Sequence, residues 1–290
     1  EHLPGQAFGC SNPALASNAD RMLELGLSPD QVQLVRQCVQ DHLQSCTPYY
    51  AVGQPSADSR RGAAGWGEKV FIAFGWMENH SVRDYAKVLR LGFEGIRAEI
   101  DASLSRLPLS DPEMVQRENF LKAAGWICDA GCALGRRYAE LARGRAGQTN
   151  DPAEKSRCLQ MAETCERVPA RGARTLFEAT QSLWLAHVLT CGEDGINANS
   201  IGRLDQILQP YYEADRKSSR ITRDQAVESM AELACKLYLE YDVQAIVLGG
   251  VDPQGRSAIN DMSWIILEAT RAVDFVRDLS VRVNRDTPRD

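Results

Sequence analysis

Apolar residues recur at a helical spacing through most of the chain. The clearest stripe lies in residues 80–107 and consists of Val82, Tyr85, Val88, Leu89, Phe93 and Ile96. Residues 111–146 predict a longer helix, whose small central residues would allow close packing against a neighbour. Residues 174–191 are apolar on more than one face and therefore predict a buried helix.

The predicted helices begin at residues that suit helix N-termini. These start signals are Ser28 before Pro29, Asn150 or Asp151 before Pro152, and Thr222 with Gln225 three residues later. Short polar side chains accept hydrogen bonds from the first amides of a helix, and proline fits its first position. Both kinds of signal favour helices at these places.

The hydrophobic period changes after about residue 240. Residues 243–251 form a short apolar run that ends in two glycines, and residues 278–284 alternate apolar with polar side chains. Both predict strands, and the helical pattern of residues 259–273 lies between them. The predicted fold class is α/β, in which a helix-rich layer leads into the first strands of a larger domain. Residues 47–67, rich in Gly, Pro and Ser, form the one plausible linker.

Composition and charge exclude several classes of partner. The net charge of −6, without a long Lys/Arg stripe, argues against nucleic acid. No apolar run approaches the roughly 20 residues of a membrane span, and the opening residues lack the features of a signal peptide. We therefore expect a cytoplasmic protein that binds neither nucleic acid nor membrane.

The nine cysteines are expected to be free thiols in a reducing compartment. Cys128 and Cys132 share one helix face, as do Cys158 and Cys165. A metal site would need further Cys or His ligands at suitable spacing, so burial as small apolar residues is the favoured interpretation. The sequence patterns GxGxxG, Walker A, HExxH, GxSxG and CxxC are all absent.

His80 is the first candidate site residue. It stands with Asn79 before a predicted helix that Ser81 could cap, with Arg83 and Asp84 in the first turn. Either His80 only bonds to backbone at this helix entry, or it lies in a pocket as a hydrogen-bond donor or proton relay.

The second candidate is the polar turn after the buried helix. Gly192 and Gly195 permit a tight turn, and Asn197, Asn199 and Ser200 follow them. Ser200 is a plausible N-cap of the next helix, which would carry Arg203 and Asp205 in its first turn. The turn is either a capped helix start or a polar wall of a substrate pocket.

Arg282 is the third candidate. The alternation of residues 278–284 turns it away from the apolar side of its strand, or into a barrel lumen. A guanidinium in a lumen could bind a carboxylate bidentately, and a salt bridge to a neighbouring strand is the other reading.

These segments together resemble the glycyl radical enzymes of the pyruvate formate-lyase-like superfamily. The resemblance rests on "NHSVRDYAKVLRLGFEGI", on "RRYAELA" followed by "CERVPARGARTLFEATQSLWLAH", on "SIGRLDQILQPYYEADRKSSRITRDQA", and on "VLGGVDPQGRSAINDMSWIILEAT" with "LSVRVN". These motifs occur here in the family's order.

The resemblance implies a ten-stranded α/β barrel wrapped by helices, of which this chain would hold an early part. It also implies anaerobic chemistry and homodimers. In the family, a partner activating enzyme uses S-adenosylmethionine and an iron–sulfur cluster to install a glycyl radical. That radical oxidises a barrel cysteine to a thiyl, which takes hydrogen from a small organic substrate.

The sequence departs from the family pattern in two ways. The "RV-x-GY" motif of the radical glycine is absent, and the catalytic cysteine is expected beyond residue 290. Residues 1–290 are therefore expected to be a partial domain without the C-terminal glycyl radical domain. On this expectation the chain has no catalytic residue, cofactor or metal of its own. A non-catalytic helical scaffold or interaction domain is the alternative.

The polar turn also differs from relatives that read "GHSISPGR" there. Asn197 and Ala198 stand where His and Ser are frequent, and Ile201 stands where Pro is common. By resemblance, Asn197 and Ser200 are predicted substrate contacts, with His80 and Arg282. The departure favours an arylacetate decarboxylase-like or fumarate-adding activity over a diol or choline lyase.

Overall fold

A computed structural model describes residues 23, 28–34, 37, 81–108, 110, 112–194, 199–239, 244–274 and 278–287. The linker 47–67 and two candidate site residues, His80 and Asn197, lie outside the described residues. Residues 29–34 are helical, and the longer described helices are α1 (Tyr85–Leu104), α2 (Met114–Gln148), α3 (Pro152–Arg167), α4 (Leu176–Asp194), α5 (Leu204–Lys217), α6 (Arg223–Leu239) and α7 (Asp261–Val273). The strands are β1 (Ser81–Val82), β2 (Asn199–Ser200), β3 (Ala245–Gly249) and β4 (Asp278–Arg282).

The chain divides into two compact units. The first consists of Glu1–Ser81, Thr190–Asn199 and Leu239–Val243, and the second of Val82–Leu189, Ser200–Tyr238 and Gln244–Asp290. In the first unit, the Ser28 Oγ accepts from the Gln31 amide at 3.2 Å, and the Gln31 side chain accepts from the Ser28 amide at 2.8 Å. This reciprocal pair confirms the predicted helix start at Ser28.

Helices α1, α2 and α3 of the second unit pack closely because α2 carries small residues at the contacts. A Cβ on Gly131 would lie 2.4 Å from the Phe93 ring, and one on Gly135 would lie 2.9 Å from the Cys165 carbonyl oxygen. Both distances are too short for a side chain, so the predicted close packing of α2 is confirmed.

One cysteine of each same-face pair, Cys128 and Cys165, lies inside this helical layer as a free thiol. Cys128 and Cys165 are 3% and 2% exposed, and burial raises the pKa of each thiol to about 11. Burial disfavours the charged thiolate, which is the reactive and metal-binding form. These two thiols therefore pack as small apolar groups, as the sequence favoured.

Helix α1 bends at Gly92, where the loop after α3 crosses it. Gly92 has φ 68° and ψ 171°, outside helical geometry. Pro169 and Ala170 offer their carbonyl oxygens to the amides of Phe93 and Glu94, both at 2.9 Å. The bend exposes backbone groups of the helix, and the loop satisfies them.

The caps of the other helices give mixed outcomes. The Asp151 side chain accepts from the Ala153 amide at 2.9 Å, and Thr222 with Gln225 forms the reciprocal capping pair. Both predicted starts are therefore confirmed. The prediction for Ser81 is wrong, since it lies in β1 while Asp84 caps α1 through the Lys87 amide at 3.0 Å.

The strand–helix–strand prediction for the last part of the chain is confirmed. Strands β3 and β4 pair in parallel, with Ala245 opposite Asp278 and Gly249 opposite Arg282, and α7 lies between them in sequence. Gly202 adds a parallel bridge to β3: its amide donates to the Ala245 carbonyl oxygen at 3.0 Å, and its own carbonyl oxygen accepts from the Val247 amide at 2.8 Å. β3 is thus bonded along both edges.

Candidate functional site

One face of the β3–β4 pair is left open by the described residues. On the side where α5 packs, Ile246 and Leu248 of β3 are buried and Leu279 of β4 is half-buried, although Val281 near the end of β4 is exposed. On the opposite side, Val247 is half-buried and Ser280 and Arg282 are exposed. Parallel sheets normally have both faces covered, and ligands bind at the carboxyl ends of their strands. The open face at the end of β3 and β4 is therefore the candidate site.

Arg282 lies at the carboxyl end of β4, as its predicted alternation requires. Its Cβ, Cδ and Nε atoms each lie 3.5 Å from the point that a Cβ on Gly250 would occupy. The side chain therefore extends over the Gly250 backbone. Among the described residues Arg282 makes no ion pair, so the salt bridge to a neighbouring strand is not found there. Arg282 is exposed on the open side.

The strand end below Arg282 depends on two glycines. Gly249 and Gly250 have φ 68° and 86°, values that other residues rarely adopt. The Arg282 carbonyl oxygen accepts from the Gly250 amide at 2.9 Å, and the Asn284 amide group donates to the Gly250 carbonyl oxygen at 3.0 Å. The turn is therefore held to β4 from both sides of Gly250.

Asp205 holds the same turn from the helical side. Its fully buried carboxylate accepts from the Gly249 amide at 2.7 Å, from the Ser263 hydroxyl at 2.6 Å and from the Gln206 amide at 2.7 Å. Asp205 lies in the first turn of α5, as the sequence predicted. It joins α5, the end of β3 and the start of α7 at one point.

The prediction that Ser200 caps α5 is wrong. Ser200 lies in β2, and the N-cap is Arg203, whose guanidinium donates to the Gly249 carbonyl oxygen at 2.8 Å. Strand pairing keeps Asn199 and Ser200 extended, and Gly202, with φ 80°, bridges to β3, so the helix begins only at Leu204. The bridge at Gly202 is on the opposite edge of β3 from β4, which separates the Ser200 and Arg282 strands by about 10 Å. The structure does not bring these two candidates together.

A buried polar network, which the sequence analysis did not single out, lies behind β3. The Tyr85 hydroxyl and the His187 Nδ1 atom are 2.9 Å apart, and the Gln244 Nε2 and His187 Nε2 atoms are 3.3 Å apart. His187 and Gln244 are fully buried, and burial lowers the pKa of His187 to about 4. A histidine in the most apolar part of a predicted buried helix was the available signal for this network.

The buried His187 predicts acid sensitivity. Its folded-state pKa of about 4 is below its ordinary value of 6.5, so the unfolded chain takes up the proton first as pH falls. The free energy of unfolding therefore keeps its full value above pH 6.5 as far as His187 is concerned. It falls by about 3 kcal/mol as the pH drops from 6.5 toward 4. Urea unfolding of the protein and of His187→Gln from pH 7 to pH 4 measures the difference in slope. Parallel pH profiles would contradict the prediction.

The described residues contain no group of three or more His, Cys, Asp or Glu side chains placed to hold a metal ion. No described helix combines the length and apolarity needed to cross a membrane.

Comparison with known proteins identifies relatives over most of the chain. The sequence model of the pyruvate formate lyase-like family matches residues 73–290. Isethionate sulfite-lyase from Desulfovibrio desulfuricans is 35% identical over 227 residues, which cover 71% of this chain and 27% of that protein. Indoleacetate decarboxylase from Tractidigestivibacter scatoligenes is 30% identical over 193 residues, which cover 61% of this chain and 22% of that protein.

A solved structure has the same fold over nearly the whole chain. Hydroxyproline dehydratase from Clostridioides difficile, with trans-4-hydroxy-L-proline bound, is similar with a TM-score of 0.78 at 25% identity. The likeness covers 97% of this chain and 38% of that chain. It confirms the predicted fold class, a helix-rich front portion of an α/β barrel. This chain spans about a quarter of the length of the curated relatives it matches.

Proposed function

This chain belongs to the pyruvate formate lyase-like family of glycyl radical enzymes, and from that premise we propose that it forms one part of the barrel of a radical lyase. The substrate is a small anionic molecule, and the reaction breaks one of its carbon–oxygen or carbon–sulfur bonds. The family's glycyl radical, installed by an S-adenosylmethionine-dependent activating enzyme, would supply the hydrogen-abstracting chemistry from outside the described residues.

The observation that carries the substrate class is the open guanidinium of Arg282. It lies over Gly250 at the carboxyl ends of two parallel barrel strands, and no described acidic residue neutralises it. A guanidinium binds a carboxylate or sulfonate through two parallel hydrogen bonds. Isethionate, hydroxyproline and indoleacetate, which the names of three relatives state, carry such a group, whereas the glycerol of another similar structure does not.

Decarboxylation of an arylacetate, or addition of a hydrocarbon to fumarate, is the second candidate reaction. It is favoured by Asn197 and Ala198, which stand where relatives often have His and Ser. Indoleacetate decarboxylase is less similar to this chain than isethionate sulfite-lyase is, which supports carbon–heteroatom cleavage first. His80, Asn197 and Ser200 stay predicted substrate contacts in either case.

The remaining partners belong to the same proposal. We propose a radical S-adenosylmethionine activating enzyme as the protein partner, a homodimeric assembly and an anaerobic setting. The non-catalytic scaffold is the competing hypothesis. It predicts that the whole protein forms no glycyl radical signal in electron paramagnetic resonance after incubation with an activating enzyme.

Turnover by the whole activated protein tests the role of Arg282. With isethionate, trans-4-hydroxy-L-proline and indoleacetate as probes, Arg282→Gln is expected to raise the KM of the substrate that turns over by about 10- to 100-fold. The matched control is Arg256→Gln, which removes an exposed guanidinium that already pairs with Asp252 at 2.7 Å.

Each outcome of this test is distinct. A KM that rises only in Arg282→Gln supports anion binding at the open face. Equal KM values in the protein and both variants would remove Arg282 from the substrate site. A protein that carries the radical but releases carbon dioxide from indoleacetate alone would establish the second candidate reaction.

A further inference from the structure

A small cavity lies between β3–β4 and the helices that cover them. Its volume is about 30 Å³. Most of its wall is apolar, with Met230, Leu233 and Ile246 among the lining residues, while Gln244 and Thr270 are its two polar lining residues. A site that holds one water molecule needs about 10–15 Å³ by this measure. The cavity therefore has room for one or two water molecules.

The two polar lining residues both offer acceptor atoms. Gln244 is fully buried; its Nε2 is directed at His187, and its Oε1 has no hydrogen-bond partner among the described residues. The Thr270 hydroxyl donates to the Ile266 carbonyl oxygen at 2.8 Å, so its oxygen lone pairs are left to accept. A ligand at either position must therefore donate a hydrogen bond.

An unmade bond at Gln244 Oε1 would be costly. Leaving a buried amide oxygen without a donor costs about 1–3 kcal/mol, and the apolar side chains around it cannot supply one. Water is the smallest molecule with two donor hydrogens. A cavity needs polar partners to retain a water molecule, and a purely apolar cavity of this kind stays dry.

We propose that this cavity is an internal hydration site, in which an ordered water molecule donates to Gln244 Oε1 and to Thr270 Oγ. The water joins the residue that precedes β3 to helix α7 and completes the hydrogen bonds of the Gln244 amide. The amide is then held with its Nε2 donating to the His187 Nε2 atom, so that the His187 Nδ1 atom carries the proton and donates to the Tyr85 hydroxyl. Gln244 is in this way a positioning residue for the buried histidine.

Crystal structures of the whole protein and three variants, at a resolution that defines ordered water, test the site. In the protein and in Thr270→Ser, we expect water density within about 3 Å of Gln244 Oε1 and of the residue 270 hydroxyl. Thr270→Val keeps the shape but removes one acceptor, and Gln244→Met removes the other. We expect the water occupancy to fall about fivefold in Thr270→Val and to be lost in Gln244→Met.

A second measurement reads the amide orientation directly. Nitrogen NMR of histidine-labelled protein, with His187→Gln for assignment, reports which ring nitrogen carries the proton. The proposal requires the Nδ1 tautomer. A dry cavity in the protein, occupancy unchanged in both Thr270→Val and Gln244→Met, or a His187 protonated on Nε2 would each overturn it, the last because Gln244 Oε1 would then face the histidine.

Discussion

Replacement of Gly92 by alanine is expected to lower the free energy of unfolding by about 4 kcal/mol or more. Its φ of 68° with ψ of 171° belongs to a region that is open almost only to glycine, which costs another residue about 1–3 kcal/mol. The new Cβ would also lie 2.3 Å from the Ala170 carbonyl oxygen and 2.4 Å from the Arg171 carbonyl carbon. These neighbours are backbone atoms, which cannot rotate away as a side chain can.

The loop that crosses α1 explains why relaxation is difficult. Its backbone bonds to both sides of the bend, since Leu89 accepts from the Ala173 amide at 2.8 Å while Pro169 and Ala170 accept from the amides that follow Gly92. On the loop side, a Cβ on Gly172 would lie 2.3 Å from the Arg90 carbonyl oxygen. Separating the two segments to admit a methyl group would break several of these bonds.

Urea unfolding measures this cost, and Gly144→Ala is the matched control. Gly144 lies within α2, and a Cβ there would meet nothing within 4 Å. Alanine at such a helical position is expected to stabilise the protein by about 0.5–1 kcal/mol. A Gly92→Ala variant within 1 kcal/mol of the parent protein, on the scale of ordinary surface substitutions, would contradict the bend described at Gly92.

Replacement of Asp205 by alanine is expected to cost about 3–5 kcal/mol. The substitution would leave the Gly249 amide, the Ser263 hydroxyl and the Gln206 amide without their common acceptor. Breaking a buried charged network on one side costs this much because the stranded groups cannot reach water. Asp205→Asn, which retains one carbonyl oxygen, is expected to lie between the parent protein and Asp205→Ala.

The control for this prediction is Asp261→Asn. Asp261 is also in the first turn of its helix, but it is exposed and its closest cation, Arg216, is 3.5 Å away. Exposed pairs of this kind contribute about 0–1 kcal/mol. Chemical unfolding of Asp205→Ala, Asp205→Asn and Asp261→Asn measures these costs. Equal losses of stability at the two aspartates would show that Asp205 does not join the helix to the strand end.

The confirmed and the wrong N-cap predictions show which helix starts can be predicted from neighbouring residues alone. Ser28, Asp151 and Thr222 were predicted correctly, because a cap depends on groups within three residues. Ser81 and Ser200 have side chains that are equally able to cap a helix, yet both residues lie in short strands. Pairing with a distant segment kept them extended and moved each helix start downstream.

In the candidate site, too, some features could be predicted from the sequence and others could not. The alternation of the last strand placed Arg282 away from the apolar side, and the glycine pair after β3 was visible as a turn. Asp205 was predicted as a first-turn residue, but its bond to Gly249 spans 44 positions of sequence. His187 was one of several polar residues in a largely apolar helix, and nothing in the sequence pointed to its contact with Gln244.

The sequence by itself determined the features that depend on neighbours along the chain: the helices, most of their starts, the two strands, and the motifs that resemble the glycyl radical enzymes. Their physical basis is the side-chain period and the local capping bond. Only the tertiary structure decided that the Asp205 carboxylate holds the strand end beneath Arg282, that Gly92 passes against the Ala170 backbone, and that Gln244 meets His187. These contacts join segments far apart in sequence, and they exist only once burial has removed water as the alternative partner.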